Sequence, residues 1–159
     1  MRLKQLVSLL AAVVLLAACE SAGSGSGTQA GSGGQAGAGA GQEALAAMLS
    51  RAGDRVFFDY DRSDLKPAAR TTIQSWASWL KVNGGASVVV QGHADERGTR
   101  EYNLALGDRR ASAVKNYLVA LGVAAGRVRN VSYGKERPQD PGHNESAWAQ
   151  NRRGVLVSQ

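Results

Sequence analysis

The feature that most constrains the fold is an alternation of strand-like and helix-like segments between Arg55 and Ser158. Strand-like stretches rich in β-branched and aromatic side chains cover residues 55–59, 87–91, 127–133 and 154–158. Segments with helical spacing of apolar residues stand between them, at 67–82, 99–121 and 145–150. This order predicts an α/β sandwich with a mixed sheet of about four strands and helices packed against it.

Several residues mark the ends of these elements. Pro67 is tolerated in a first helical turn, and Asn83-Gly84-Gly85 is expected to end the helix that it opens. Gly122 ends the second helix, and Asn144 can cap the last one. The continuous apolar run Val88-Val89-Val90 is typical of a strand that is covered on both faces.

The beginning of the chain has a different character. Arg2 and Lys4 precede an apolar run over residues 6–18, which is the pattern of a secretory signal peptide and is too short for a membrane span. The run ends in Leu16-Ala17-Ala18-Cys19, which resembles a bacterial lipobox, and Cys19 is the only cysteine. We therefore expect cleavage before Cys19 and lipid attachment to it. The alternative is an ordinary cleavage site with an unrelated cysteine nearby.

Lipidation of Cys19 would anchor the chain to a membrane without spanning it, because each buried methylene contributes roughly 0.8 kcal/mol. Glu20, which follows the cysteine, can favour retention in the inner membrane in some bacteria. A single cysteine excludes a disulfide within the chain. Removal of residues 1–18 takes away Arg2 and Lys4, so the net charge falls from +6 to +4. This modest excess does not indicate a nucleic-acid partner.

A linker and one domain make up the rest of the chain. Residues 23–42 are almost wholly Gly, Ala, Ser and Gln, a composition that cannot bury enough surface to offset its ordering entropy. We assign residues 19–42 to the lipidated cysteine and a disordered linker. Residues 43–159 form a single domain of ordinary size, which opens with a short helix at 43–51.

Opposite charges flank the turn between the second strand and the second helix. Asp95 follows the apolar strand, and Arg110, fifteen residues later, lies on the inner stripe of the helix. If the chain folds so that these two side chains come close, they form a pocket with one negative and one positive group. Such a pocket suits a zwitterionic ligand. The alternative is a structural salt bridge between the two side chains, which the residues alone leave open. Gly107 inside the helix predicts close packing or ligand approach, since glycine there costs about 1 kcal/mol relative to alanine.

The sequence favours binding over catalysis. His93, Asp95 and Glu96 could suggest a metal site or an acid–base pair, but His143 is the only other histidine. There is no Cys-His cluster and no activated-serine or paired-carboxylate motif, so we expect no enzyme activity, metal or cofactor. The tryptophans are expected to pack in or beside the core rather than to stack on sugars: Trp76, Trp79 and Trp148.

Five ordered blocks resemble the OmpA-like peptidoglycan-binding domain family: residues 56–61, 92–99, 102–111, 131–138 and 151–153. With the lipobox and the Gly-rich linker, they are most similar to the lipoproteins of the Tol-Pal system within that family. The resemblance implies a βαβαβ-type fold that binds the diaminopimelate stem peptide of peptidoglycan without covalent chemistry. It also implies an outer-membrane lipoprotein that faces the periplasm, contributes to envelope integrity and cell division, and has TolB and TolA as partners.

The resemblance also assigns residues to the ligand. Asp95 would accept hydrogen bonds from its ammonium, and Arg110 would form a two-pronged pair with its carboxylate. Four further residues are expected at or beside the pocket: Asp59, Asn103, Leu106 and Arg153. Arg153 could instead pair with Asp108 or with the chain terminus. Three exposed loops are candidates for the TolB surface: residues 62–66, 96–101 and 135–143.

Overall fold

The computed structural model describes residues 33–159. The predicted signal peptide and Cys19 lie outside the described residues. Contacts divide the chain into two units, Met1–Gly34 and Gln35–Gln159, and the second contains the sheet and the site discussed below. No helix within residues 33–159 is long and apolar enough to cross a membrane.

The elements follow the predicted alternation. The helices are α1 (Gly33–Ala52), α2 (Pro67–Val82), α3 (Arg100–Ala120) and α4 (Glu145–Asn151), with a short 3-10 turn at Ala125–Arg127. The strands are β1 (Arg55–Phe57), β2 (Val88–His93), β3 (Val128–Gly134) and β4 (Arg153–Ser158). The predicted strand and helix segments from residue 55 onward are therefore confirmed, with boundaries that differ by at most two residues.

The four strands form one mixed sheet in the order β1-β4-β2-β3. β2 pairs in parallel with β3, from Val88 opposite Val128 to Gly92 opposite Ser132. A parallel pair needs a crossover connection, which α3 supplies. β4 runs antiparallel to both β1 and β2. The predicted mixed sheet is confirmed.

The core lies between the sheet and the helices α2 and α3. It joins side chains of α2 and α3 to those of β2, β3 and β4: Ile73, Trp76, Leu80, Val114, Leu118, Val88, Val90, Val128 and Leu156. Val89 is only half-buried, since alternate residues of a strand face opposite sides of the sheet. The prediction that β2 is covered on both faces is therefore wrong for this residue.

Side-chain caps fix the starts of two helices. Thr99 Oγ1 accepts a hydrogen bond from the Tyr102 N–H at 3.2 Å, and α3 begins at the next residue. Asn144 caps α4 as predicted, because its Oδ1 accepts from the Ala147 N–H at 3.0 Å. These bonds satisfy N–H groups that a helix leaves without an internal partner.

The structure differs from the prediction at the start of the domain. α1 begins at Gly33 rather than at residue 43, so residues 33–42 are helical where a disordered linker was expected. This stretch contains three alanines, which favour a helix, and five glycines, which disfavour it, so helix propensity alone does not account for the extension. Leu45, further along the same helix, is buried in the core, which gives the helix a packed segment from which to extend.

Candidate functional site

The candidate site lies at the carboxyl end of β2, where the chain turns toward α3. The Ala94 N–H donates to the Gly134 carbonyl at 2.8 Å, which ties the turn to the end of β3. Asp95 follows, and only 4% of its surface is exposed. Gly98 continues the turn with a φ of +95°, a conformation that favours glycine.

Two glycines bring α3 close to this edge of the sheet. A Cβ atom on Gly92 would lie 1.9 Å from the carbonyl oxygen of Gly107, and one on Gly107 would lie 2.3 Å from Ser132 Oγ. Only residues without side chains allow the helix and strand backbones to approach this closely. The close packing predicted from Gly107 is therefore confirmed, and it places the first turns of α3 beside Asp95.

The Asp95 carboxylate is held by arginines. Arg97 donates through its backbone N–H (3.1 Å), its Nε (3.2 Å) and one terminal nitrogen (2.7 Å), and Arg152 donates at 3.4 Å. Burial alone raises the pKa of Asp95, but the hydrogen bonds and the charge of Arg97 outweigh it and lower the pKa below its ordinary value. Asp95 is therefore ionised at neutral pH.

A small cleft opens in front of this carboxylate. It encloses about 170 Å³ and is called the Asp95 cleft below. Eight residues line it: Tyr60, Asp61, Asp95, Arg97, Gly98, Tyr102, Asn103 and Leu106. Tyr102 donates its hydroxyl to the Asp61 carboxylate across one side. Two carboxylates against one arginine make the lining attractive to a cation.

Arg110 lies behind the cleft and is fully enclosed. Its guanidinium donates to the carbonyls of Arg62 (2.9 Å), His93 (2.7 Å) and Asp59 (3.0 Å). Burial lowers the pKa of Arg110 to about 10, while the nearby charge of Asp95 opposes that change, so the group remains cationic at neutral pH. The expected direct pairing with a ligand carboxylate does not fit this conformation, because 0% of Arg110 is exposed.

The two charged residues are close neighbours but do not pair with each other. Among the described residues, the ion-pair partners of Asp95 are Arg97 and Arg152. Arg110 reaches the carbonyl of His93, two residues before Asp95. The alternative of a structural salt bridge between Asp95 and Arg110 is therefore wrong for this conformation.

The other predicted site residues divide into two groups. Asn103 and Leu106 line the cleft, and Asn103 Nδ2 donates to the Arg97 carbonyl at 2.9 Å, which orders the turn. Asp59 and Arg153 do not line it. The Asp59 carboxylate pairs with Lys66 on the surface, and Arg153 donates to the carbonyls of residues 137 and 151.

The suggested pairing of Arg153 with Asp108 is wrong. Asp108 instead accepts from Asn130 Nδ2 at 2.9 Å. Burial, and then the nearby charge of Arg153, lower the pKa of His93 to about 4. Burial, and then the charge of Arg55, lower the pKa of Arg153 to about 10.

Sequence reasoning missed the aromatic support of the cleft. The Arg97 guanidinium carbon lies 4.0 Å from the ring centroid of Tyr60 and 4.1 Å from that of Trp148. Trp148 Nε1 donates to Glu96 at 2.8 Å, and this bond lowers the pKa of Glu96 together with the contact from His143. Tyr60 stands beside Asp59 in a motif block, but nothing in the sequence spacing predicts that its ring stacks on Arg97.

A larger cavity of about 610 Å³ lies elsewhere, against α1 and the end of β4. Leu45, Trp79 and Ala86 contribute to its lining, which contains no charged side chain. Among residues 33–159, no group of three or more His, Cys, Asp or Glu residues is placed to hold a metal ion. The Asp95 cleft is therefore the better candidate for recognition of a charged ligand.

Comparison with known proteins identifies the family of the chain. The model of the OmpA family matches residues 57–152, more than half of the chain. The chain is also 46% identical over 150 residues to a peptidoglycan-associated lipoprotein of Pseudomonas aeruginosa, and the match covers 89% of each protein. The chain belongs to the OmpA family.

Other relatives place it more closely within the OmpA family. It is 53% identical over 105 residues to the peptidoglycan-associated lipoprotein of Mesorhizobium japonicum, covering 66% of this chain and 62% of that one, so it spans less than two thirds of that relative. The names of these relatives describe association with peptidoglycan and not a reaction.

Solved structures agree on the OmpA-family fold. The crystal structure of the peptidoglycan-associated lipoprotein from Burkholderia pseudomallei has a TM-score of 0.66 and 45% identity, over 68% of this chain and 92% of that one. The C-terminal domain of Helicobacter pylori MotB has a TM-score of 0.62 at 19% identity, over 67% and 84% of the two chains. The second likeness shows a shared fold alone.

Proposed function

We propose that this OmpA-family domain binds the diaminopimelate-bearing stem peptide of peptidoglycan without cleaving it. The Asp95 cleft is the observation that carries the proposal. Its volume of about 170 Å³ suits an amino-acid headgroup, since pockets for drug-sized ligands begin at about 300 Å³. It places an enclosed carboxylate where an ammonium would dock, and a buried cation stands behind it.

The residues then have distinct roles toward the ligand. Asp95 accepts the ligand ammonium, and Asn103 and Leu106 form the wall beside it. Arg110 supplies positive charge from behind, and direct contact with a carboxylate requires segment 59–62 to move. Asp59 and Arg153 do not contact the ligand. They influence the Asp95 cleft from a distance, through their charges and through the packing of the surrounding loops.

The proposed task of the whole chain is mechanical tethering. Lipid on Cys19 holds one end in the outer membrane, and the domain holds the cell wall from the periplasmic side. Because the lipid and the domain are on one chain, binding of one keeps the other at a high effective concentration near its own target. Neither the membrane attachment nor the cell-wall attachment therefore needs to be tight. The consequence is a link that supports envelope integrity and membrane constriction at division.

TolB is the proposed protein partner, with TolA as a further one. The loops expected to contact TolB border the cleft: Lys135 Nζ donates to the carbonyls of Glu96 and Gly98, and His143 contacts Glu96 at 2.7 Å. TolB and peptidoglycan are therefore expected to exclude each other. In a competition assay, increasing TolB should release the chain from sacculi, whereas simultaneous saturation by both would contradict the overlap.

Pull-down with purified sacculi tests the central proposal. Asp95→Asn removes the charge with little change in shape and should weaken sacculus binding more than tenfold, because charge-assisted hydrogen bonds contribute about 1.5–3 kcal/mol each. The matched control is Asp64→Asn, since Asp64 is exposed and pairs with Arg62 on the surface. Equal retention of both variants would overturn the assignment, and release of soluble muropeptides by the wild type would revive an enzyme function.

A further inference from the structure

The charges of the domain are unevenly distributed between its two ends. No acidic residue occurs between Asp64 and Asp95, between Asp108 and Glu136, or after Glu145. These acid-free segments contain the ends of α2 and α3, the starts of β2 and β3, and the end of β4. Because β3 is parallel to β2 and β4 is antiparallel to it, these parts meet at the end of the sheet opposite the Asp95 cleft.

Hydrogen bonds join these parts into one surface. The Arg127 guanidinium donates to three backbone carbonyls at and after the end of α2, at 2.6–2.9 Å. The Gln159 N–H donates to the Ser87 carbonyl at 3.1 Å, which adds the end of β4. A strand of six residues such as β2 puts about 20 Å between this surface and the Asp95 cleft. It is called the distal surface below and comprises residues 81–87, 119–127 and 158–159.

Cations and apolar side chains are exposed together on or beside the distal surface. Lys81 and Arg129 are exposed, and Lys115 is half-buried. Within residues 33–159, none of the three forms an ion pair. Val82 is 85% exposed, and Val119 lies one helical turn after Lys115 and is 36% exposed. Basic and apolar side chains without carboxylates suit the boundary between the headgroups and the acyl chains of an anionic lipid layer.

The path of the chain indicates which anionic surface lies within reach. α1 connects the domain to the segment that carries the proposed lipid on Cys19. Gly41 and Gln42 of α1 share the walls of the cavity of about 610 Å³ with residues 83–87 of the distal surface. The chain therefore reaches the domain at this end, and the membrane that holds the lipid is the anionic surface nearest to it.

We propose that the distal surface docks on the anionic lipid headgroups of the membrane to which the chain is anchored. Lys81, Lys115 and Arg129 face the lipid phosphates, and Val82 and Val119 lie at the acyl boundary. This inference rests on the lipid anchor of the proposed function. The attraction acts only close to the bilayer, because charges are screened over about 8 Å at physiological ionic strength. Docking at this end points the Asp95 cleft away from the membrane, toward the cell wall.

NMR of the lipidated chain in phospholipid nanodiscs tests this orientation. One set of discs contains phosphatidylcholine alone, and a second contains about 30% phosphatidylglycerol, an anionic lipid. Both carry a trace of a gadolinium-chelating lipid. In the anionic discs, amide signals of residues 81–86 should broaden at least about tenfold more than those of residues 95–103, because about 20 Å separates the two ends and the effect falls steeply with distance. Neutral discs or high salt should abolish the difference.

A charge-reversal variant tests the residues themselves. Lys81→Glu/Lys115→Glu should reduce the broadening of residues 81–86 in anionic discs to the level seen in neutral discs. The matched control is Arg62→Glu/Arg100→Glu, which changes the net charge equally at two exposed positions near the cleft end. The control should keep the wild-type broadening. An equal loss in both variants would show that net charge alone acts, and would overturn the assignment to the distal surface.

The remaining outcomes separate the inference from the function on which it rests. If the chain is anchored in the discs but both ends broaden equally, or the difference persists in neutral discs, docking on anionic lipid is overturned. This result needs no variant. If the purified chain does not insert into the discs, the lipid anchor of the proposed function fails and the inference fails with it.

Discussion

Two arginines approach Asp95 from opposite sides, and their surroundings differ completely. Arg110, behind the cleft, is enclosed and donates to three backbone carbonyls. Arg97, at the front, is partly exposed and stacks between two rings. The positive charge at the back is thus enclosed within the fold, whereas the positive charge at the front lies at the surface of the cleft on a side chain that is 30% exposed.

The largest expected effect on the free energy of unfolding comes from substitution of Arg110, which lies behind the Asp95 cleft. Arg110→Ala leaves the carbonyls of Asp59, Arg62 and His93 without their donor and opens a cavity beside α3. We expect a loss of about 3–5 kcal/mol in the free energy of unfolding, because three hydrogen bonds from a charged donor are lost and each contributes about 1.5–3 kcal/mol. Chemical denaturation measures it. Arg97→Ala should cost less, about 1–2 kcal/mol, since Asp95 loses two side-chain donors but keeps the Arg97 backbone N–H and Arg152; equal losses would contradict the comparison.

The pH dependence of the free energy of unfolding allows a similar comparison of a buried and an exposed residue, the histidines His93 and His143. Burial, and then the charge of Arg153, lower the pKa of His93 to about 4. The unfolded chain therefore takes up a proton before the folded one, and stability is lost as pH falls from about 6.5 to about 4. His93→Gln should remove about 2–3 kcal/mol of this loss. Exposed His143→Gln is the surface control for the substitution itself; identical profiles for both variants would refute the assignment.

The smallest effect is expected at Asp59. Its carbonyl is held by Arg110 at the back, but its carboxylate pairs with Lys66 on the surface. The pairing with Lys66 lowers the pKa of Asp59, which is thus ionised at neutral pH. Asp59→Asn should leave the melting temperature and sacculus retention close to wild type. A loss of binding as large as that of Asp95→Asn would place this carboxylate in the site after all.

Much of the fold could be predicted because its signals are local. Pro67, Thr99 and Asn144 mark helix starts through their own backbone chemistry, and the structure begins α2, α3 and α4 there. Asp95 was placed correctly at the end of β2 for the same reason. The start of α1 was not predicted, because a Gly- and Ala-rich composition fits both a flexible linker and the extension of a packed helix.

The arginines show why the rest of the site could not be predicted. Two of the carbonyls that bind Arg110, those of Asp59 and Arg62, come from residues 51 and 48 positions away, on a loop whose path depends on the completed sheet. The stacking of Arg97 needs Tyr60 and Trp148, which lie far from it on either side in sequence. Charge and spacing drew attention to Asp95 and Arg110, but only tertiary packing determines which arginine is covered and which is exposed.

Titration of the full chain with a diaminopimelate-containing stem peptide, followed by NMR, tests the central claim most directly. The account predicts that resonances of the Asp95 cleft, above all Asp95, Arg97 and Tyr102, shift together and saturate. A stem peptide of equal length with lysine in place of diaminopimelate lacks the second carboxylate and should shift them far less. Equal shifts with both peptides, or shifts confined to the apolar cavity beside α1, would contradict recognition of an amino-acid headgroup at Asp95.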